Sequence, residues 1–257
     1  MNSAASKWAE LDAELACWGA LGRTASLWWR DDDASVPDAA LERLAALSAH
    51  WSVPLSLAVV PARMSAALDG VLSCATQARA LQHGFAHTDH AAREEPAAEL
   101  GEHRAAGVVL EELARGQERL RRELGASFLP VLVPPWNRIA ASLLPQLSRL
   151  GFAGLSCFAA RERASVGTDV VIANCHVDPV DWRRGGVFRG EQRSLSALVD
   201  HLRARRRAEV DAHEPTGLLT HHWRHDAALW SFLDRLFGHL QACPQVRWLD
   251  AGSVFAR

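Results

Sequence analysis

Ser26-Leu27-Trp28-Trp29-Arg30-Asp31-Asp32-Asp33 is a short apolar run that ends abruptly in three carboxylates. A run of this length with two tryptophans reads as a buried strand, and the charges mark its end. The arrangement recurs twice. A strand expected at 78–82 is followed by His83 and His87, and one expected at 216–220 is followed by His221. In parallel α/β folds the C-terminal strand ends converge on one face, so ionisable groups from distant segments meet there. Charges scattered over a surface would show no such punctuation.

Working outward from 26–33, strand and helix patterns alternate. Helices are expected at 38–50, 62–72, 97–124, 140–150, 194–207 and 227–240, and further strands at 55–60, 129–133, 153–157, 170–174 and 246–249. Right-handed crossovers then give a parallel sheet. With 257 residues, about seven or eight βα units in one domain-sized chain predict an α/β fold closed into a barrel, a single domain over residues 25–257. Residues 1–24 carry Trp8, Leu11, Leu15 and Trp18 at helical spacing and read as an N-terminal helical extension packed on the barrel.

Composition narrows the function. A net charge of -2 offers no bulk attraction to nucleic acid or to an anionic membrane. The basic run Arg203 to Arg207 reads as a solvated helix face. Lys7 is the one lysine, which excludes mechanisms needing a lysine in the body of the chain. Five widely spaced cysteines, Cys17, Cys74, Cys157, Cys175 and Cys243, read as small core residues in a reducing compartment. Lys7, Glu10, Asp12 and Glu14 interrupt any signal-peptide pattern, and no run approaches the ~18 apolar residues of a membrane span. A soluble, cytoplasmic protein is expected, and the sequence leaves its oligomeric state open.

Adjacent side chains on an extended backbone point to opposite faces, so one aspartate of the triplet can face a metal while its neighbour faces a water. The alternative is an acidic loop capping the next helix through Ser35 or Asp38. His83 and His87 are four apart, the spacing that one helical turn places on one face, and two neutral imidazoles there can bind Zn²⁺ with a carboxylate. Asp89 and His90 are nearby decoys. Pro134-Pro135-Trp136-Asn137 forms a rigid turn able to aim a backbone N–H at a substrate oxygen, or else a loop with a core tryptophan. Asp178 and Asp181 stand beside Trp182, and Leu219-Thr220-His221 ends a strand amid His222 and His225. A lone histidine is more often structural than catalytic, and His222 should face away from the groove.

In their order these motifs resemble the polysaccharide deacetylase family, the NodB-homology carbohydrate esterases. The resemblance runs from Asp32 to His221. It implies a distorted (β/α) barrel of about seven parallel strands, with Asp32 as catalytic base and Asp33, His83 and His87 as ligands of a divalent metal, commonly zinc. It further implies Trp136 as the backbone donor to the oxyanion, Asp178, Asp181 and Trp182 as the fourth motif, and His221 as general acid. The implied reaction is metal-assisted hydrolysis of an N- or O-acetyl group on a sugar. Without an export signal, a soluble acetylated sugar, sugar conjugate or oligosaccharide precursor is the expected substrate. Three departures stand out: Val133 replaces the third-motif arginine, Asn137 replaces its glycine, and Ala34 follows Asp33 where the family has glycine. The missing arginine normally orients the base, so Arg30 or Arg138 must do so, and the register of the triplet stays open by one residue.

Other classes compete. Asp31-x-Asp33 after a strand mimics a haloacid-dehalogenase phosphatase, but Lys7 precedes the aspartates. A metal-dependent amidase acting on a non-sugar C–N bond would use the same barrel. A catalytically inactive carbohydrate-binding barrel would typically have lost a ligand.

Overall fold

The computed structural model describes residues 3–167 and 169–256. Helix α1, Ser3–Ala20, precedes strand β1, Ala25–Ala34. Helix α2 (Ala39–Trp51), β2 (Ser56–Val59), α3 (Leu68–Cys74), β3 (Arg79–His83), α4 (Ala106–Leu124), β4 (Phe128–Val133) and β5 (Gly154–Leu155) follow. Then come β6 (Ser165–Val166), β7 (Val170–Ile172), β8 (Val180–Asp181), β9 (Val187–Phe188), α5 (Glu191–Arg206), β10 (Thr216–Thr220), α6 (Ala227–Gln241), β11 (Val246–Trp248) and α7 (Ala251–Val254).

The parallel strands run in the order β10-β1-β2-β3-β4-β5-β7, with β6 antiparallel at the outer edge of β7. The ring closes just beyond β7. There Cys175 bridges Phe158 and Val177 bridges Leu218, and the Leu219 N–H donates to the Val177 carbonyl at 2.8 Å. Seven parallel strands thus form a distorted barrel. Strand β11 pairs with the start of β1, and β8 and β9 form a separate hairpin.

Strand alternation sorts the core. Trp28, Ala58, Leu81, Val131, Val133 and Leu219 pack on one face together with Phe255 beyond α7. Leu27, Trp29, Leu57, Val59, Ala80 and Leu218 face the other way, into the layer of helices. Trp8, Leu11, Leu15 and Trp18 of α1 are buried in that outer layer. The same parity puts Arg30 and Asp32 of β1, His83 of β3 and His221 after β10 on the inner side.

Several elements differ from expectation. The 97–124 helix begins only at Ala106, because residues 89–100 fold back as a loop in which Asp89 accepts the Ala91 and Ala98 N–H groups. The 140–150 helix is a 3-10 segment, Ala141–Gln146, containing Pro145, which lacks the amide hydrogen an α-helix needs. The 62–72 helix is split into a 3-10 turn, Pro61–Arg63, and α3. The run Arg203 to Arg207 is not simply solvated. Arg205 is buried, donating to Ser26 and Thr216, and Arg206 pairs with the buried Glu14 of α1 at 2.6 Å. The cysteines are all free; Cys17 and Cys74 are exposed and depart from the core expectation, whereas Cys175 is buried and Cys157 and Cys243 pack against the core. Among the described residues, no helix is long and apolar enough to cross a membrane.

Candidate active site

The three aspartates of β1 go to three environments. Asp31 points outward, accepting from Thr220 Oγ1 at 2.6 Å and pairing with His222 Nδ1. Asp32 points inward and pairs with Arg30, whose Nε lies 2.8 Å from its Oδ1 and whose Nη2 lies 3.0 Å from its Oδ2. Asp33 follows a register shift in β1 and has φ 72°, which turns its carboxylate over the strand ends. There Oδ1 lies 3.2 Å from His83 Nε2 and 3.1 Å from His87 Nε2.

His83 closes β3, and its Nδ1–H donates to the Val133 carbonyl at 2.9 Å, which directs Nε2 at Asp33. His87 is not one helical turn onward. It sits in a loop at φ 55°, so the spacing of four works here through a strand end and a tight turn. The loop is held by Glu99, a buried carboxylate that accepts from the Phe85 N–H at 3.1 Å and the Ala86 N–H at 2.7 Å. Sequence reading placed Glu99 inside a helix and missed it. Gly84 is required at this turn, because its φ is +53° and an added Cβ would lie 1.9 Å from Glu99 Oε2 and 2.7 Å from Pro135. Gly84→Ala should push the carboxylate away, unseat His87 and weaken divalent-metal binding about 10–100-fold, as measured by chelator competition.

The Pro135–Asn137 turn is also strained, with φ 55° at Trp136 and 56° at Asn137. Its own hydrogen bonds run from Asn137 N–H to Pro134 and from Arg138 N–H to Pro135, leaving the Trp136 N–H outside that ladder. The Trp136 ring packs on His87 at 4.4 Å. Asn137 tolerates left-handed backbone and stands where the resembled motif has glycine. Its Oδ1 accepts from Arg30 Nη2 at 2.8 Å. Asp33, His87, Trp136 and Asn137 thus gather four left-handed, non-glycine backbones around one cleft, and such strain concentrates at functional sites.

Arg30 settles which arginine meets the base candidate. It is fully buried, and besides Asp32 and Asn137 it donates to Ser156 Oγ at 2.6 Å and to the Ser156 carbonyl at 3.1 Å. Burial opposes its charge, but the surrounding interactions, led by Asp32, together raise its pKa. Arg138 instead donates to the Ala97 carbonyl.

An open cleft of about 630 Å³ brings Asp32, Asp33, His83, His87, Trp136, Asp178 and His221 together. Asp181 does not join them. It lies on the β8–β9 hairpin and faces Arg193 of α5 at 3.4 Å, because it is three residues from Asp178 on a chain that turns outward. Asp178 accepts from the Val180 N–H and from Trp182 Nε1, both at 2.8 Å, and Trp182 stands edge-on to the His221 ring at 4.7 Å. Burial lifts the Asp178 pKa, and the charge of nearby His221 offsets only part of this. His221 Nδ1 is buried without a hydrogen-bond partner. His222 is turned away from this cleft, as expected, but it lines an adjoining lobe of about 340 Å³ that shares Asp33, His87 and Trp223 with the cleft.

The donor set suits a divalent metal. The ligand atoms of Asp33, His83 and His87 lie within 4.8 Å of one another, and the 3.1–3.2 Å separations are close to the ~3.3 Å expected between ligands held about 2.0–2.1 Å from a tetrahedral centre. Burial alone would raise the Asp33 pKa, but hydrogen bonds from His83 and His87 hold the carboxyl well below the usual range, keeping it anionic. A second cluster, His176, His201 and Glu214, is different. His176 Nδ1 accepts the Gly217 N–H at 3.0 Å, so its proton resides on Nε2, which faces Glu214 at 3.3 Å and has no lone pair for a metal. Burial, His176 and Arg205 also push the stacked His201 down to about 2. This cluster is a hydrogen-bonded lock across the seam where the barrel closes.

The fold aligns with a Mycobacterium smegmatis protein described as a polysaccharide deacetylase over 91% of this chain and 90% of that one, at 15% identity and a TM-score of 0.66. The chain has the polysaccharide deacetylase fold. An allantoinase aligns over 90% of this chain and 89% of its own, at 14% identity and a TM-score of 0.61. A family 4 acetyl xylan esterase from Clostridium thermocellum, in complex with a cobalt ion, covers 90% of each chain at 13% identity and a TM-score of 0.55. No family model and no curated protein sequence matches the chain.

Proposed function

We propose that the protein is a metal-dependent hydrolase that removes an N- or O-linked acetyl group from a sugar or sugar conjugate. The observation that carries this reading is the convergence of Asp33, His83 and His87 on one point, beside Asp32 and His221 in the same cleft. Asp33, His83 and His87 would hold the divalent metal, and the two-imidazole, one-carboxylate set favours Zn²⁺. When bound, such an ion polarises the acetyl carbonyl and makes water a better nucleophile at neutral pH.

The remaining chemistry belongs to the chain. Asp32, oriented by Arg30, accepts a proton from the attacking water. The Trp136 backbone N–H donates to the oxygen that gains charge as water adds. His221, near Asp178, delivers a proton to the departing nitrogen or oxygen as its bond to the acyl carbon breaks, giving acetate and the free amine or alcohol. Exposed Trp182, Trp223 and Phe158 offer apolar faces around the cleft, a surface suited to a sugar ring.

The test is acetate release from a panel of N-acetylated and O-acetylated sugars by metal-stripped and Zn²⁺-loaded protein. Turnover that appears only with metal is expected. A second reading, an amidase acting on a non-sugar C–N bond, has the allantoinase as its support, since the fold is not confined to proteins named for carbohydrates. Zinc-dependent hydrolysis of small amides with no acetyl-sugar turnover would select that reading.

A further inference from the structure

Trp223 lies on the 3-10 turn His222–Arg224 and is 47% exposed, yet its indole N–H is not turned to water. It donates to Asp33 Oδ2 at 2.9 Å. The other oxygen of the same carboxylate, Oδ1, is the one that faces both imidazoles. Arg224 caps the indole face, its guanidinium carbon 4.0 Å from the ring centroid, and the Trp182 ring lies 6.2 Å from that of Trp223 and 5.7 Å from the same guanidinium carbon. Backbone torsion at Asp33 is strained, with φ 72°, and a strained carboxylate keeps one orientation only if its surroundings over-determine it.

We infer that Trp223 is a positioning residue for the metal carboxylate, its indole N–H occupying Asp33 Oδ2 so that Oδ1 alone is presented between His83 and His87. This rests on the metal-site reading above. A carboxylate with both oxygens free can swing or bind through both, which fills a coordination position that water and a carbonyl need. A hydrogen bond from outside the ligand set prevents this, and such outer partners commonly govern affinity. Trp223 also lines both the cleft and the adjoining lobe, so one side chain forms a wall that substrate would touch and sets the orientation of a metal ligand. The cation–π contact from Arg224 holds the ring in place for both tasks. Nothing in the sequence motifs marks Trp223, because its partner lies 190 residues earlier.

Trp223→Phe removes the N–H and keeps an aromatic wall. Zn²⁺ affinity, read by competition with a chromogenic chelator, should fall about 10–100-fold. The melting temperature of the metal-free protein should not change, and the visible absorption of the Co²⁺-substituted variant should weaken as Asp33 binds through both oxygens. Trp223→His, which restores a ring N–H, should recover part of the affinity. Equal Zn²⁺ affinity and equal Co²⁺ spectra in wild type and Trp223→Phe would overturn the positioning role alone. Failure of the wild-type protein to bind Zn²⁺ would overturn the metal reading and this inference with it, so the two failures are told apart by the wild-type titration.

Discussion

Asp32→Asn should lower turnover about 10²–10⁴-fold, the usual loss when a general base is removed, while bound Zn²⁺ stays near one per chain. The metal should stay because Asp32 is paired with Arg30, whereas Asp33 faces the imidazoles. The substitution has a second consequence. Arg30 is fully buried with Asp32 as its carboxylate partner, so the variant strands a buried guanidinium, and breaking such a pair costs about 3–5 kcal/mol. Pairing Asp32→Asn with Arg30→Met separates the two effects. Stability in urea should recover in the double variant and turnover should not. Turnover restored along with stability would mean that Asp32 matters only as the partner of Arg30.

His221→Gln should also cost about 10²–10⁴-fold in rate with metal retained, since an amine leaves poorly without a proton. His222 is the neighbouring comparison, but His222→Ala would be a poor control. It would leave the Asp31 carboxylate buried opposite an empty site, a loss of about 1–3 kcal/mol or more. His222→Asn places an amide N–H where Nδ1 was and should keep both fold and rate. Equal activities in His221→Gln and His222→Asn, or a loss confined to the second, would reject His221 as the acid.

The chain itself announced much of this site. Apolar runs ending in Asp31–Asp33, His83 and His221 marked strand ends, and parallel strands must bring those ends to one face. Parity left the register of the triplet open, and the structure settles it: on β1 the even-numbered side chains face inward, so Asp32 and Arg30 share a side while Asp31 goes to the outer face. What could not be read was any contact between segments far apart in the chain. Val133 and Asn137 broke the expected third motif, and two arginines were equally able to replace the missing one. Only the closed barrel brings Asn137 and Ser156 to Arg30 as it pairs with Asp32.

Periodicity is a local signal, and it failed where local preference lost to a distant partner. Residues 97–105 carry helical spacing, yet Glu99 is drawn off to hold the 85–86 backbone, and the helix waits until Ala106. Asp181 carries a motif residue type but follows the hairpin out to Arg193. By itself, then, the sequence determined the alternation of strands and helices, the barrel that alternation demands, and which residue types stand at its open end. Tertiary structure alone decided which aspartate faces the imidazoles, which arginine pairs with Asp32, and that the Trp223 indole N–H donates to Asp33. Those choices depend on side-chain reach across the barrel mouth and on strained backbone at Asp33, His87, Trp136 and Asn137, neither of which a linear pattern encodes.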